Sequence, residues 1–193
     1  MGFERDFVVV DIETTGLHPG MHKITEISAI RFKNNKIREE FTTLVNPQCH
    51  IPLFITNLTG INDSMVGDAP DIKKVMPKFI DFLGNKTFVG HNAAFDYKFI
   101  NYNSMKHVNI NIDNPVLCTC RLARRLLPSL YSKRLGVVSN YFGIKNINAH
   151  RARGDALATT QILEKFLHML EERGIKDTDE IIRFQKTKIP KLR

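Results

Sequence analysis

The chain has 193 residues, of which 42% are hydrophobic and 25% charged, and this composition is typical of a soluble globular domain with a substantial core. No apolar run approaches the ~18 residues of a membrane span, and the start of the chain lacks the hydrophobic region of a signal peptide. The three cysteines, Cys49, Cys118 and Cys120, are too few and too scattered for a disulfide framework. We therefore expect a cytoplasmic protein with no membrane partner.

The net charge of +8 is concentrated in one part of the sequence. No acidic residue lies between Asp113 and Asp155, whereas basic residues recur through this stretch. Most runs of charge are solvated helix faces, but this run has a single sign and leads directly into candidate catalytic residues. We interpret it as a belt that binds a polyanion. The basic residues predicted to follow the path of a nucleic-acid strand are Arg121, Arg124, Arg125, Lys133 and Arg134.

Three strands are predicted first, at about 7–12, 24–32 and 37–45, because apolar residues are continuous in the first and alternate in the others. A short helix and loop follow at 51–61, and a helix with apolar residues at 3–4 spacing follows at 71–83. A short buried strand is predicted at 87–90, and a helix from about Asn92, which we expect to cap it.

The C-terminal half predicts a strand at 115–118, helices at 119–127 and 133–142, and a long helix at 153–173 that ends at Gly174. A short amphipathic segment with a basic end follows. We expect residues 1–174 to form one domain and residues 175–193 to form a tail. The order of elements predicts an α/β protein with a mixed sheet and helices on both faces, in which the later strands run parallel.

Four acidic residues lie where a globular protein would favour apolar ones. Asp11 ends a buried strand, and Glu13 lies two residues on, so both carboxylates point to the same side. Asp96 lies among phenylalanines near the start of one helix, and Asp155 lies in the first turn of the long helix, just after His150. Carboxylates in such surroundings need neutralisation, and oxygen ligands suit Mg²⁺ or Mn²⁺. Together they predict metal-assisted phosphodiester hydrolysis.

Taken singly, each of these residues has an ordinary explanation. A D-x-E pair is usually a surface feature, Asp96 could be a helix-surface residue, and Asp155 could cap a helix. His150 alone is most simply a loop histidine. Their order, spacing and neighbouring residues are specific only as a set.

The set resembles the DEDDh 3′–5′ exonuclease family, and within it the epsilon-type proofreading exonucleases of bacterial replicative polymerases. The resemblance covers residues 6–172 and rests on VVVDIETTGL, IP…LTGI, VGHNAAFD, LCTCRLARRLLP, RLGVVSNYFGI and HRARGDALATT. It implies a ribonuclease H-like fold with a five-stranded sheet of order 3-2-1-4-5, whose first three strands are antiparallel.

The resemblance also implies a role for each matching residue. Asp11, Glu13 and Asp155 would hold a first Mg²⁺ or Mn²⁺, Asp11 would bridge to a second, and Asp96 would support both metals. His150 would be the general base. Residues implied to contact the terminal nucleotide are Thr14, Thr15 and Leu17, a wedge of Leu58, Thr59 and Ile61, and a pocket floor of His91 and Asn92.

The implied function is two-metal 3′–5′ hydrolysis at single-stranded or frayed DNA ends, with release of nucleoside monophosphates. RNA 3′ ends or short oligoribonucleotides are an alternative substrate, because no residue indicates how a 2′-OH is treated. A catalytically silent nucleic-acid-binding module is a third interpretation, which the presence of all four acids and His150 disfavours. The sequence departs from the family at Cys118-Thr119, where Asp-Thr is frequent. It has few residues beyond 174 for a segment that would grip a polymerase, so a polymerase or helicase partner is left open.

Overall fold

A five-stranded sheet forms the centre of the computed structural model, which describes residues 5–146 and 148–189. The strands are β1 (Asp6–Thr14), β2 (Ile24–Lys33), β3 (Lys36–Leu44), β4 (Thr87–Gly90) and β5 (Val116–Cys118). Their order is β3-β2-β1-β4-β5. The first three pair antiparallel, whereas β4 is parallel to β1 and β5 is parallel to β4. The predicted α/β class and strand order are confirmed.

Eight helices connect or flank the strands in the described part of the chain. They are α1 (Leu53–Thr59), α2 (Asp63–Val66), α3 (Ile72–Leu83), α4 (Ala94–Val108), α5 (Thr119–Leu126), α6 (Leu135–Tyr141), α7 (Ala152–Glu171) and α8 (Thr178–Phe184). The sequence did not predict α2, whose four residues are too few for a periodic pattern. None of these helices combines the length and apolar character needed to cross a membrane.

The sheet separates two apolar cores, and alternate residues of β1 contribute to each. Phe7 and Val9 pack with helices α5 to α8 on one face. Val8, Val10 and Ile12 pack with α3 and α4 on the other face. Because side chains alternate along a strand, Asp11 and Glu13 continue the row of Phe7 and Val9 and face α7. The carboxyl ends of the parallel strands β1, β4 and β5 lie at the same edge of the sheet. Asp11 and Glu13 lie at this edge.

The start of α4 differs from the prediction. Asn92 was expected to cap this helix with its side chain, but it has φ +73° and the helix begins at Ala94 without a side-chain cap. The Asn92 carbonyl instead accepts a hydrogen bond from the Phe95 amide at 3.0 Å. Asparagine tolerates this left-handed conformation better than most residues, and the resulting turn directs the chain from β4 into α4.

Helix α8 packs against the domain although it follows the predicted boundary at residue 174. Ile181 is fully buried in the core that contains α7. The Gln185 side chain accepts from the Cys118 amide at 2.8 Å and donates to the Val116 carbonyl at 2.7 Å, so it satisfies backbone groups of the edge strand β5. The limits of domain and tail stay a prediction, and residues 190–193 of the basic end lie outside the described part.

Candidate active site

Three carboxylates meet at the end of β1. Oxygen atoms of Asp11, Glu13 and Asp155 all lie within 4.8 Å of one another, and all three residues are half-buried. Asp11 and Glu13 face α7 because they continue the row of side chains on that face of β1. Asp155 lies in the first turn of α7, where the helix dipole favours an anion. Residues 144 positions apart in the chain therefore converge because one strand and one helix pack on each other.

Asp96 approaches the same point from the opposite face of the sheet. It lies in the first turn of α4 and is 4% exposed. Its Oδ1 accepts a hydrogen bond from the Ile12 amide at 3.2 Å, between the two acidic residues of β1. This bond fixes the carboxylate of Asp96 against the end of β1. Asp96 does not belong to the group of three acids whose oxygens all lie within 4.8 Å of one another.

Crowding makes these carboxyl groups weak acids. Burial, followed by Asp96, Asp155 and Glu13, raises the pKa of Asp11 well above its ordinary value. Burial and the neighbouring carboxylates raise the pKa of Glu13 to about 8. Burial also raises the pKa of Asp96 to about 7, although hydrogen bonds from backbone amides oppose the shift. Like charges this close favour either shared protons or a bound cation.

His150 lies on the loop that leads into α7. Its side chain is exposed, its φ is +62°, and its amide donates to Asp155 Oδ2 at 3.3 Å. The other oxygen of Asp155 accepts a short hydrogen bond from Nδ2 of Asn146. The loop therefore places an imidazole beside the three carboxylates without using it as a structural contact among the described residues. The imidazole is therefore open to solvent at this position.

The turn after β1 holds two of the predicted nucleotide-binding residues internally. The hydroxyl of Thr14 donates to the Gly16 carbonyl at 2.6 Å, and that of Thr15 accepts from the Lys23 amide at 3.0 Å. Both side chains are buried, whereas Leu17 is 73% exposed. Of these three residues, Leu17 is therefore the one whose side chain is available to a ligand, and the two threonines shape the turn that presents it.

The three residues of the predicted wedge also differ in exposure. Leu58 on α1 is 52% exposed, but Thr59 and Ile61 are buried. Ile61 packs with Ile51, Ile55 and Val66 under α1, and the Thr59 hydroxyl accepts from the Ile61 amide at 3.1 Å. As placed here, Thr59 and Ile61 support α1 and only Leu58 can touch a base.

His91, predicted with Asn92 to form the pocket floor, is held on both ring nitrogens. Nε2 lies 2.7 Å from the Lys133 carbonyl, so we assign the hydrogen to this nitrogen, and Nδ1 lies 2.9 Å from the Thr119 hydroxyl. Burial lowers the pKa of His91. The ring therefore links the end of β4 to the start of α5, and the exposed Asn92 follows it at the same sheet edge.

The basic stretch does not act as one surface. Arg151 and Arg153 pair with Glu26 and Glu40 of the sheet. Among the predicted strand-path residues, Arg125 donates to the Thr187 carbonyl, Lys133 donates to the Leu130 carbonyl, and Arg134 is exposed before α6.

Arg121 and Arg124 instead line a cavity of about 520 Å³ between α4, β5, α5 and α8, together with Lys98 and Lys186. No acidic side chain is among the described residues that line this cavity. It borders Asn92 and Cys118 at the carboxyl edge of the sheet, and Asp96 is not among its lining residues.

Comparison with known proteins identifies the family. The exonuclease family model RNase_T matches residues 8–163. This chain belongs to that exonuclease family. The match includes Asp11, Glu13, Asp96, His150 and Asp155, and the family is the one that the sequence motifs predicted, the DEDDh 3′–5′ exonucleases.

Two curated relatives and one solved structure agree with the assignment. The DNA polymerase III subunit epsilon of Aquifex aeolicus is 37% identical over 183 residues, covering 94% of this chain and 91% of that protein. A DNA polymerase III PolC-type protein of Caldanaerobacter subterraneus is 46% identical over 92% of this chain, which spans only 13% of that relative's length. Exonuclease X, solved in complex with 5′ overhanging duplex DNA, has 24% identity and a TM-score of 0.73, covering 91% of this chain and 99% of that one, which shows a common fold.

Members of this family work with divalent metal ions, and the carboxylate cluster of this exonuclease fits such a group. Three oxygen donors within 4.8 Å of one another match the hard ligands that Mg²⁺ and Mn²⁺ favour. Burial, and then the repulsion of neighbouring carboxylates, raises the pKa of Asp11 and of Glu13, and no positive charge among the described residues offsets both effects fully. Arg151 lowers the pKa of Glu13, but burial and the acids outweigh it.

The cluster predicts how the stability of the metal-free exonuclease depends on pH. A carboxyl group with a raised folded-state pKa retains its proton when the unfolded chain has lost it, so stability is fully present below the unfolded pKa and falls as pH rises toward the folded one. For Glu13 this window runs from 4.5 to about 8. We expect the free energy of unfolding in urea with EDTA to fall by on the order of 2–4 kcal/mol between pH 5 and pH 8.

Substitution separates this effect from other titrations. Glu13→Gln should flatten the decrease, and Mg²⁺ or Mn²⁺ should reverse it because the ion binds the folded state. Glu40→Gln, on the outer strand β3, should leave the slope unchanged. An unchanged slope in Glu13→Gln would contradict the electrostatic description of the cluster.

Several residues that shape the site were missed in the sequence. The sequence pattern predicts Glu26 only as a strand residue, but its carboxylate accepts hydrogen bonds from Arg151 and Ala152 at the start of α7. Leu53 and Phe54 on α1 are 72% and 67% exposed beside Leu58, and a helical pattern alone did not indicate which apolar residues face out. Asn146 contacts Asp155 from nine positions away. An amide or a carboxylate gives no signal of a long-range partner until the packing is known.

Proposed function

We propose that this exonuclease hydrolyses phosphodiester bonds at single-stranded or frayed DNA 3′ ends, with two divalent metal ions, and releases nucleoside 5′-monophosphates. The observation that carries the proposal is the convergence of Asp11, Glu13 and Asp155 within 4.8 Å beside the loop of His150. A carboxylate cluster next to an exposed imidazole offers both ligands for cations and an acceptor for a proton.

The residues have distinct tasks in this mechanism. Asp11, Glu13 and Asp155 would hold the metal ions, and Asp96 would orient the strand end and the waters of the site. The ions, when bound, supply charge stabilisation at the scissile phosphate and acidify the attacking water. His150 accepts the proton of that water as it attacks phosphorus. The bond to the 3′ oxygen of the penultimate nucleotide breaks, which leaves a shortened strand and a nucleotide with a 5′-phosphate.

The names of the similar proteins support DNA as the substrate. The relatives of Aquifex and Caldanaerobacter are named as parts of DNA polymerase III, and Exonuclease X was solved with duplex DNA. The same names support proofreading for a replicative polymerase, and a repair or processing role with a helicase is the alternative. The exposed Leu17 and Leu58 would contact the terminal base, and His91 and Asn92 the floor beneath it.

An oligonucleotide assay tests this proposal. Single-stranded DNA and RNA of one sequence, labelled at the 5′ or the 3′ end, are incubated with Mg²⁺, Mn²⁺ or EDTA. We expect a ladder of 5′-labelled DNA shortened from its 3′ end, immediate release of the 3′ label as a mononucleotide, and no product with EDTA. If RNA is shortened faster than DNA, RNA is the preferred substrate. If internal cleavage products appear, the enzyme does not act as an exonuclease.

We further propose that the strand upstream of the scissile bond passes the basic cavity. Of the five basic residues predicted to follow the strand, Arg121 and Arg124 line the cavity, and Lys98 and Lys186 add cations that the sequence did not single out. The first turn of α4 separates the cavity from the carboxylates, since Asp96 faces β1 while Tyr97 and Lys98 line the cavity. Phosphates of a bound strand would be attracted there by a field of one sign.

Charge reversal tests this path. Lys98→Glu with Arg124→Glu should raise KM for long single strands and reduce the salt dependence of binding, because each lost phosphate contact lowers the log–log slope by about 0.7. The rate constant on a saturating dinucleotide should stay unchanged. Lys36→Glu with Arg38→Glu is the matched control, since it also reverses two exposed cations, but on β3 at the opposite edge of the sheet. If the salt dependence of binding is the same in the double variant as in the unmodified protein, the cavity does not bind the strand.

A further inference from the structure

We infer that the ion pair between Glu26 and Arg151 is a positioning device, which holds the backbone that carries His150 at a fixed place over the carboxylates. Arg151 follows His150 directly and is the last residue before α7. The inference rests on the proposed role of His150 as the base. It assigns a task to two residues that make no contact with the scissile bond in the proposed mechanism.

The contacts between the two residues form a clamp whose acidic half is buried and whose basic half is partly exposed. Arg151 donates from Nε to Glu26 Oε2 at 3.1 Å and from Nη2 to Oε1 at 2.8 Å, and the Ala152 amide donates to Oε2 at 2.9 Å. The Glu26 side chain is 4% exposed. Two parallel bonds to a guanidinium fix direction as well as distance, and the third bond adds the backbone of α7 itself. Both the side chain and the main chain at the start of α7 are therefore attached to β2.

Glu26 lies at an electrostatically unfavourable position, and its bonds to Arg151 and Ala152 offset that cost. Glu26 is the register partner of Glu13 across β1 and β2, and it faces the same core. It adds to the repulsion that raises the pKa of both Asp11 and Glu13. A directly opposed pair of acids on adjacent strands is destabilising. Glu26 therefore makes the site harder to assemble, and what it provides in return is the attachment of Arg151 and Ala152.

The loop that carries His150 depends on this attachment. The Arg151 amide donates to the Asn148 carbonyl at 3.2 Å, and the His150 amide donates to Asp155 at 3.3 Å. A side chain at Gly154 would collide with the Asn148 carbonyl, so the loop lies directly on the first turn of α7. The loop is thus fixed to α7, and α7 is fixed to β2 by Glu26. The position of His150 relative to Asp11 and Glu13 follows from this chain of contacts.

A second ion pair provides a matched control two residues along the chain. Arg153 donates to Glu40 of β3 at 2.9 Å, and its side chain is 54% exposed, against 36% for Arg151. Both pairs join the start of α7 to the sheet with an arginine and a glutamate. The control pair makes a single bond from its arginine, and Glu40 is far more exposed than Glu26. Comparing the two pairs separates a specific positioning effect from a general effect of charge at this end of α7.

The test compares Arg151→Lys and Glu26→Gln with Arg153→Lys, each checked for folding by circular dichroism and thermal unfolding. Lysine keeps the charge but cannot make the two parallel bonds. We expect both clamp variants to lose about 10- to 100-fold in kcat on single-stranded DNA, the effect of misplacing a reacting group by about 1 Å. KM and the affinity for Mn²⁺ should change by less than about threefold, and Arg153→Lys should behave like the unmodified protein.

A double-mutant cycle with His150→Ala makes the inference specific. If the clamp acts through His150, Arg151→Lys should reduce kcat by less than about threefold when His150 is already absent. Folded clamp variants with full kcat, or losses that simply multiply in the cycle, would overturn the inference while leaving the proposed function intact. Full activity of His150→Ala would reject the base assignment itself, and with it the clamp's purpose.

Discussion

Replacing Asp11 by Asn is expected to reduce turnover to background and, without metal, to raise the free energy of unfolding at pH 8. The amide cannot supply the charge that two cations would share. It also removes a carboxyl group whose charged form is disfavoured by burial and then by Asp96, Asp155 and Glu13. We expect a gain of about 1–3 kcal/mol in urea unfolding with EDTA. Few substitutions of a buried polar residue stabilise a protein, so the combined result is diagnostic of a cation site.

Two comparisons sharpen this result. Asp155→Asn should behave in the same direction, because it removes a member of the same cluster. Asp81→Asn, on an exposed face of α3, should change neither activity nor stability appreciably. Metal-dependent turnover that survives in both Asp11→Asn and Asp155→Asn would reject the assignment of the site. A loss of metal-free stability would contradict the burial and repulsion that raise the pKa values of the cluster.

Removing the imidazole of His150 is expected to slow hydrolysis by on the order of 10²–10⁴-fold, the usual contribution of a positioned general base. The fold should be unaffected, because the side chain is exposed and makes no hydrogen bond among the described residues. Affinity for Mn²⁺, measured by calorimetry on the resting protein, should be nearly unchanged. His168→Ala removes an exposed histidine from the last turn of α7 and serves as the control.

A different outcome would assign His150 a different chemistry. If His150→Ala lost Mn²⁺ affinity in proportion to its rate, the imidazole would be a ligand and the proton acceptor would have to be sought elsewhere. If it lost neither, the loop would serve only to present Asp155. The measurement of binding alongside rate therefore distinguishes a base, a ligand and a spacer in one variant.

The parts of the site that could be predicted from the sequence are those set by local periodicity. Strand alternation placed Asp11 and Glu13 on one side, and the strong apolar period of α7 placed Asp155 in its first turn. The order of elements then predicted a mixed sheet with parallel later strands, and the family resemblance supplied the strand order that brings these segments together. Each of these steps uses neighbours within a few residues, or a connection rule that does not depend on particular side chains.

The remaining features depend on partners far away in the chain. Glu26 and Arg151 are 125 residues apart, and nothing in the strand pattern of Glu26 indicates a clamp. Ile61 was expected to touch a base, but α2 and Val66, which the sequence did not predict, enclose it. Asparagine is a common capping residue, so the sequence favoured Asn92 as the cap of α4. The close approach of Ala93 to Gly90 instead requires a sharp turn at this point. Such outcomes follow from packing, which local propensity does not encode.

The residues that we propose to bind cations and the one that we propose to accept a proton lie in regions of unequal local stability. Asp11 and Glu13 belong to a strand paired along its length with β2 and, for part of it, with β4, so they open only when the sheet opens. His150 lies on an exposed loop in a left-handed conformation, and such segments open at far lower free energy than a central strand. Gentle denaturation should therefore separate the two functions, as proton transfer is lost while cations still bind. An intermediate of this kind would be folded, metal-loaded and inactive.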